Sequence, residues 1–302
     1  MLVVVLSLAL VVTPSARALT GGEPDSDERH PEVLTLRATS PVDQAALCSA
    51  VKIGPDTLLT AAHCIVDAQS GALRPAFRPG AVVGLDNAAL QESRAGALKV
   101  SIEKVHLPPA YRDGLAKFAD YRRRRLAELT AGSSTLPSAT LEQGLRLRHH
   151  FAARYPDVAL LRLQAATPSI PIKAVAFGPV QPGDKVELVG FGCATPGTPA
   201  RSNLPLVRRS GWSRVIRVDE VNLYTHAGQR IPSAPSLCPG DSGGSVLRKG
   251  RVIGIHTVVY GLNARHGARS NMAVRLQPLA DWSAWPNGLG DRGSTSRPRL
   301  EP

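Results

Sequence analysis

The stretch Gly240-Asp241-Ser242-Gly243-Gly244 sets a hydroxyl among glycines. Glycine on both sides lets the backbone bend tightly and brings N–H groups together, as needed to hold a developing oxyanion. A serine hydroxyl is a poor nucleophile until a base takes its proton, so the stretch gains meaning only beside a histidine. Upstream, Leu58-Leu59-Thr60-Ala61-Ala62-His63-Cys64 supplies one after an apolar strand. That base needs a carboxylate to fix its tautomer and stabilise the imidazolium. Tyr155-Pro156-Asp157-Val158-Ala159-Leu160-Leu161 places Asp157 at the mouth of a second apolar strand.

Chain order separates two architectures that use these parts. Residues 240–244 also satisfy G-x-S-x-G, the nucleophile elbow of α/β-hydrolases, where the order is Ser, acid, His. Here it is His63, Asp157, Ser242, and no Asp lies between Ser242 and the later His256 or His266. The α/β reading fails.

Outward from these motifs, strand-like segments recur at 32–37, 81–85, 98–105, 158–163, 185–191, 245–247, 251–259 and 271–276, with turn signals between them. Their spacing predicts an all-β fold of barrels or a sandwich. With 27 Gly, 25 Pro and 4% aromatics, the composition suits short strands and turns better than a helical bundle. Two stretches depart from this. Residues 111–151 are polar, Arg-rich and partly helical in pattern, with the run Arg122-Arg123-Arg124-Arg125, and read as a surface insertion over 112–151. Residues 286–302 lack apolar periodicity and read as a disordered tail. Between 277 and 285 the pattern predicts a short C-terminal helix.

Residues 2–12 form an apolar run too short to span a bilayer, ending at Ala16-Arg17-Ala18, an A-x-A cleavage signal. Residues 1–18 are therefore expected to be an export signal, although no Lys or Arg precedes the run. An oxidising compartment gives the four cysteines meaning. Cys48, Cys64, Cys193 and Cys238 permit three pairings, and none has zinc-ligand spacing, so structural bridges are expected and no metal or cofactor. The net charge of +12 comes without stacking motifs or zinc patterns and reads as solvated surface, not as a nucleic-acid interface.

With TAAHC, DVALL and GDSGG in this order, the chain resembles the chymotrypsin–trypsin family of serine proteases over residues 19–285, apart from the insertion. The resemblance implies two packed six-stranded antiparallel β-barrels, the first over about 19–165 and the second over about 175–285. His63, Asp157 and Ser242 are then a catalytic triad in the cleft, with the Gly240 and Ser242 amides as oxyanion hole. Thr257 matches a position whose hydroxyl bonds the catalytic Asp. The resemblance implies a Cys48–Cys64 bridge, which leaves Cys193 to Cys238, a pair less typical of the family. Leu19-Thr20-Gly21-Gly22 matches the usual mature N-terminus, so signal cleavage itself is expected to release a Leu19 amine that pairs with Asp241, without a propeptide. The expected product is a secreted, monomeric endopeptidase acting on protein or peptide substrates.

The family's pocket floor falls on Ser236 and not on Asp, which argues against cleavage after Lys or Arg. Leu237 makes the adjoining wall apolar, and Val259 and Asn271 complete the expected pocket. His256 resembles the residue that binds substrate carboxylate in glutamyl endopeptidases, whereas Leu237 speaks for a core histidine and an uncharged preference.

Overall fold

The computed structural model describes residues 19, 22–25, 29–39, 47–87, 97–131, 144–147, 149–192, 207–227, 234–260, 270–287 and 289. The expected export signal, Cys193 and the tail beyond residue 289 lie outside the described residues.

Six strands close the first barrel: β2 (Val33–Ala38), β3 (Leu47–Gly54), β4 (Thr57–Thr60), β5 (Val82–Asp86), β6 (Leu98–His106) and β7 (Ala159–Leu163), in the order β2-β3-β4-β7-β6-β5. Closure leaves no edge to cap, and every pairing is antiparallel. The second barrel uses β8 (Lys185–Gly190), β9 (Arg209–Val218), β10 (Asn222–His226), β11 (Ser245–Arg248), β12 (Arg251–Tyr260) and β13 (Ser270–Arg275). It runs β9-β10-β13-β12-β11-β8 and closes through β8 on β9, with the short β1 (Glu23–Pro24) added outside β9. The fold is two packed six-stranded antiparallel barrels, as expected.

Aliphatic side chains from both barrels merge into one core. Leu34, Val51, Leu59 and Leu161 of the first barrel join Val189, Phe191, Leu247, Ile255 and Val274 of the second. A smaller cluster of Leu19, Leu188, Val215, Leu223, Leu237 and Ile253 fills the rest of the second barrel. The connection between barrels crosses buried Lys52, whose ammonium donates to the Thr167 and Ile170 carbonyls.

The described part of the insertion is helix at 112–131 and 149–151, with an irregular stretch at 145–147. Helix α1 (Ala62–Ile65) carries His63, α2 (Pro109–Ala131) holds the Arg run, and α3 (His149–Arg154) leads back to Asp157. Arg, Ala and Leu are strong helix formers, and Tyr111, Leu115 and Phe118 recur on one side. Tyr111 meets Phe151 edge-on at 5.2 Å, and Phe151 meets Tyr155 at 4.7 Å. Asn222 of β10 donates to the Ala152 and Ala153 carbonyls, which joins α3 to the second barrel.

The C-terminal helix is shorter and tighter than the sequence pattern suggests: a 3-10 turn at Gln277–Leu279, continued by i→i+3 bonds from Trp282 to Leu279 and from Trp285 to Trp282. Pro278 withholds a donor in its first turn, and the Trp285 indole bonds the Leu279 carbonyl at 2.6 Å. Trp285 packs on Phe177 at 5.2 Å. At its start, the segment read as a disordered tail follows this packing: Leu289 is buried and donates to the Pro286 carbonyl. Among the described residues no helix is long and apolar enough to cross a membrane.

Candidate active site

His63, in the turn after β4, and Asp157, just before β7, meet. The Asp157 carboxylate, 1% exposed, takes His63 Nδ1 at 2.7 Å and the His63 main-chain N–H at 2.8 Å. These bonds fix both the ring and the helix that carries it. The Cys48–Cys64 bridge anchors the same turn to β3. Burial lowers the His63 pKa, but the charge and hydrogen bond of Asp157 outweigh it and the net shift is upward. Cys48, His63 and Cys64 place ligand-type atoms within 4.8 Å, but both sulfurs are spent in the bridge.

Ser242 sits on the turn that the glycines permit. Gly243 has φ +87°, and a Cβ there would strike the Ser49 carbonyl and the Thr60 hydroxyl, so only glycine lets the loop approach the first barrel. Gly240 has φ +106°, with the Phe191 carbonyl 2.8 Å from any added Cβ. Among the described residues the Gly240 and Ser242 amides donate to no group, whereas Asp241, Gly243 and Gly244 donate to Cys238, His256 and Asp241 carbonyls. Two unspent donors, on either side of Asp241, thus remain in the loop among the described residues.

The Ser242 hydroxyl donates to the Thr257 carbonyl at 3.1 Å, not to His63. Thr257 itself departs from expectation, since its hydroxyl donates to the Met272 carbonyl at 3.0 Å and not to Asp157. The cause is a β-bulge. His256 faces Ala273 and Val258 faces Met272, which leaves Thr257 as the extra residue and turns its side chain along β13.

Asp241 is fully buried. Its carboxylate accepts the amides of Gly192 at 2.7 Å, Cys238 at 2.9 Å and Leu19. A Cβ at Gly190 would lie 2.5 Å from the carboxylate, which explains glycine at that strand end. Burial pushes the Asp241 pKa up to about 7 despite these donors. The segment after Leu19 is held by β1 on β9 and by a buried pair, Arg208 to Asp25 at 2.9 Å.

The expected pocket residues separate into two groups. Ser236 is partly exposed and Leu237 lies beside it, buried. Asn271 does not offer its amide to a ligand: it is buried, donating to Thr225, His226 and Pro235 and accepting the Leu237 N–H at 2.9 Å. It braces the pocket segment from behind, a role fixed by strand pairing that residue type alone does not announce. His256 is wholly buried, and neither ring nitrogen makes a well-formed hydrogen bond. Burial, opposed only by the Ser245 main-chain carbonyl, pushes its pKa down to about 3, so the ring is neutral. The Val259 side chain lies outside the described residues. Cys238 is disulfide-bonded, and Cys193, its expected partner, is not described.

The family model described as Trypsin matches residues 19–119 and 137–283. Solved structures with the same fold include neuropsin, a serine protease of mouse brain, at 16% identity and TM-score 0.55, covering 86% of this chain and 96% of that one. A Glu endopeptidase matches at 14% identity and TM-score 0.53, covering 84% and 90%. A scabies mite inactivated protease paralogue matches at 15% identity and TM-score 0.55, covering 87% and 96%. No curated protein matches the chain.

Proposed function

The chain belongs to the trypsin family of serine proteases, and on that premise we propose that it is a secreted serine endopeptidase working through an acyl-enzyme. Ser242 attacks the scissile carbonyl while His63 takes its proton, and the leaving amine receives that proton when the C–N bond breaks. Water then attacks the acyl-enzyme with His63 again as base. Asp157 holds the ring in the required tautomer, and the Gly240 and Ser242 amides receive the oxyanion, each such donor contributing about 3 kcal/mol.

The observation that carries this reading is the His63–Asp157 pair beside a serine loop with two unspent amides. The hydroxyl turns from Thr257 to His63 when substrate fills the cleft, since hydrogen bonds of this kind tighten in the substrate complex. Ser236 supplies no charge for a basic side chain, and neutral, buried His256 supplies none for an acidic one, so the preference is for an uncharged residue. Residues 1–18 direct export, and the protease unit spans 19–285. The Cys48–Cys64 bridge fits that compartment, with Cys193–Cys238 as the second bridge. Cleavage after Ala18 frees the Leu19 amine for Asp241, whose carboxylate already receives the Leu19 nitrogen.

A second reading, a protease-like binding protein without turnover, draws on the Ser242 hydroxyl being spent on Thr257. A fluorophosphonate probe separates the two. Labelling abolished by Ser242→Ala and by His63→Ala supports the enzyme, and an unlabelled, correctly processed chain refutes it. Digesting a proteome-derived peptide pool then reads the residue before each cut.

A further inference from the structure

Ser49 belongs to β3 of the first barrel, yet its polar atoms serve the nucleophile loop of the second. It is fully buried. Its N–H donates to the Ser242 carbonyl at 2.7 Å, and its carbonyl accepts the Thr60 hydroxyl at 2.8 Å. Its own hydroxyl accepts the Phe191 N–H at 3.0 Å and donates to the Gly240 carbonyl at 2.8 Å. Because the Phe191 donor occupies one lone-pair side of the oxygen, the proton is directed at Gly240. The preceding residue, Cys48, is bridged to Cys64, next to His63.

We propose that the Ser49 hydroxyl is a positioning residue for acyl transfer. This role rests on the protease reading above. Glycine at 240 imposes little of its own preference on the backbone, so φ and ψ there must be held from outside. The hydroxyl does this by fixing the Gly240 carbonyl, while the Ser49 main chain fixes the Ser242 carbonyl two residues on. With both carbonyls tied to one residue of β3, the Gly240 and Ser242 amides keep a constant relation to each other and to His63. Without the hydroxyl, the Gly240 carbonyl and the Phe191 amide are both left unpaired in the core, and the loop relaxes to satisfy them.

The test uses Ser49→Ala and Ser49→Gly, which delete the hydroxyl but keep the main-chain bond, and Ser49→Thr, which restores a hydroxyl. The readouts are the second-order rate of labelling by a fluorophosphonate–rhodamine probe per folded molecule, and kcat and KM on a peptide cleaved by the wild type. The Ala and Gly variants should label and turn over about tenfold more slowly or worse, with KM within about twofold, and the Thr variant should recover to within about threefold. A labelling rate within about twofold of wild type in either deletion variant overturns the positioning role, whatever the loss of stability. The Gly variant decides if the Ala variant does not fold. Failure of the wild type to label overturns the protease reading itself and this role with it, an outcome distinct from labelling that ignores Ser49.

Discussion

Release of the Leu19 amine should change the stability of the nucleophile loop in a pH-dependent way. When the chain continues N-terminal to Leu19, its nitrogen is a neutral amide, and the buried Asp241 carboxylate has only neutral direct donors. Burial then raises its pKa from 3.8 to about 7. A shift of that size corresponds to roughly 4 kcal/mol against the ionised form. The folded chain therefore binds more protons than the unfolded one between about pH 4 and 7. Its stability falls as pH rises through that window and levels off above it. A free amine places an ammonium beside the carboxylate, keeps it ionised in the fold and removes the loss. The comparison is between a chain beginning at Leu19 and one beginning at Ala18, unfolded in urea from pH 4 to 8. The curves should diverge above about pH 4 and differ by a few kcal/mol at pH 8, with kcat/KM lower in the longer form. Coincident stabilities at pH 8 would refute the reasoning, because the carboxylate would then gain nothing from the amine.

Other predictions follow from the site and its supports. Because Asp157 raises the His63 pKa, kcat/KM should rise with pH through an inflection above 6.5; Asp157→Asn should lower that inflection and cut kcat by about 10⁴-fold, and a pH profile with unchanged turnover would exclude the pair from catalysis. His30 bridges the barrels, 3.6 Å from Glu32 and 3.4 Å from Glu187, with Asp25, Arg29, Lys173 and Arg208 around them. Burial lowers the His30 pKa, but the two glutamates and Asp25 outweigh it and raise it; Glu32 and Glu187 are lowered by their cationic partners against the effect of burial. The glutamates stabilise above their ordinary 4.5 and His30 below its ordinary 6.5, so the urea-midpoint gap between wild type and His30→Gln should peak from about pH 4.5 to 6.5 and shrink on both sides. Gly114→Ala should gain about 1 kcal/mol of helix propensity but drive a Cβ within 2.9 Å of the Tyr155 ring, for a net loss of about 1–2 kcal/mol. Urea unfolding checks the loss, and a stabilised variant would show that α2 is not pinned there.

The legible parts of the sequence are those whose chemistry is local. His63 and Asp157 stand out because the one follows and the other precedes an apolar strand in a motif of a few residues, and the fold brings them to 2.7 Å. The strands missing from the sequence pattern fail for identifiable reasons. In β9, Ser210 and Ser213 point inward while Trp212 and Ile216 are exposed, so the apolar alternation marks the wrong face. In β3, polar Ser49 and Lys52 interrupt the run although both are buried, their polar atoms met by main-chain carbonyls. The insertion reads as polar surface because its stability comes from a narrow aromatic stripe, Tyr111 and Phe118 on α2 and Phe151 on α3, and not from overall hydrophobicity.

Alignment of the two barrels is a different kind of information. Ser49 contacts Gly240 and Phe191 across 191 and 142 positions of sequence, and the bulge that redirects Thr257 exists only in the register of β12 with β13. Neither can be read from a local pattern. Yet these contacts determine whether the serine, the histidine and the two amides converge. On this reading a chain can retain TAAHC, DVALL and GDSGG in order and still transfer acyl groups about tenfold more slowly for want of one hydroxyl in β3. Conversely, a loop held from β3 by both main chain and side chain is more than a serine on an unrestrained turn. The labelling rate of the Ser49 variants measures that difference directly, separating convergence of the site from possession of its parts.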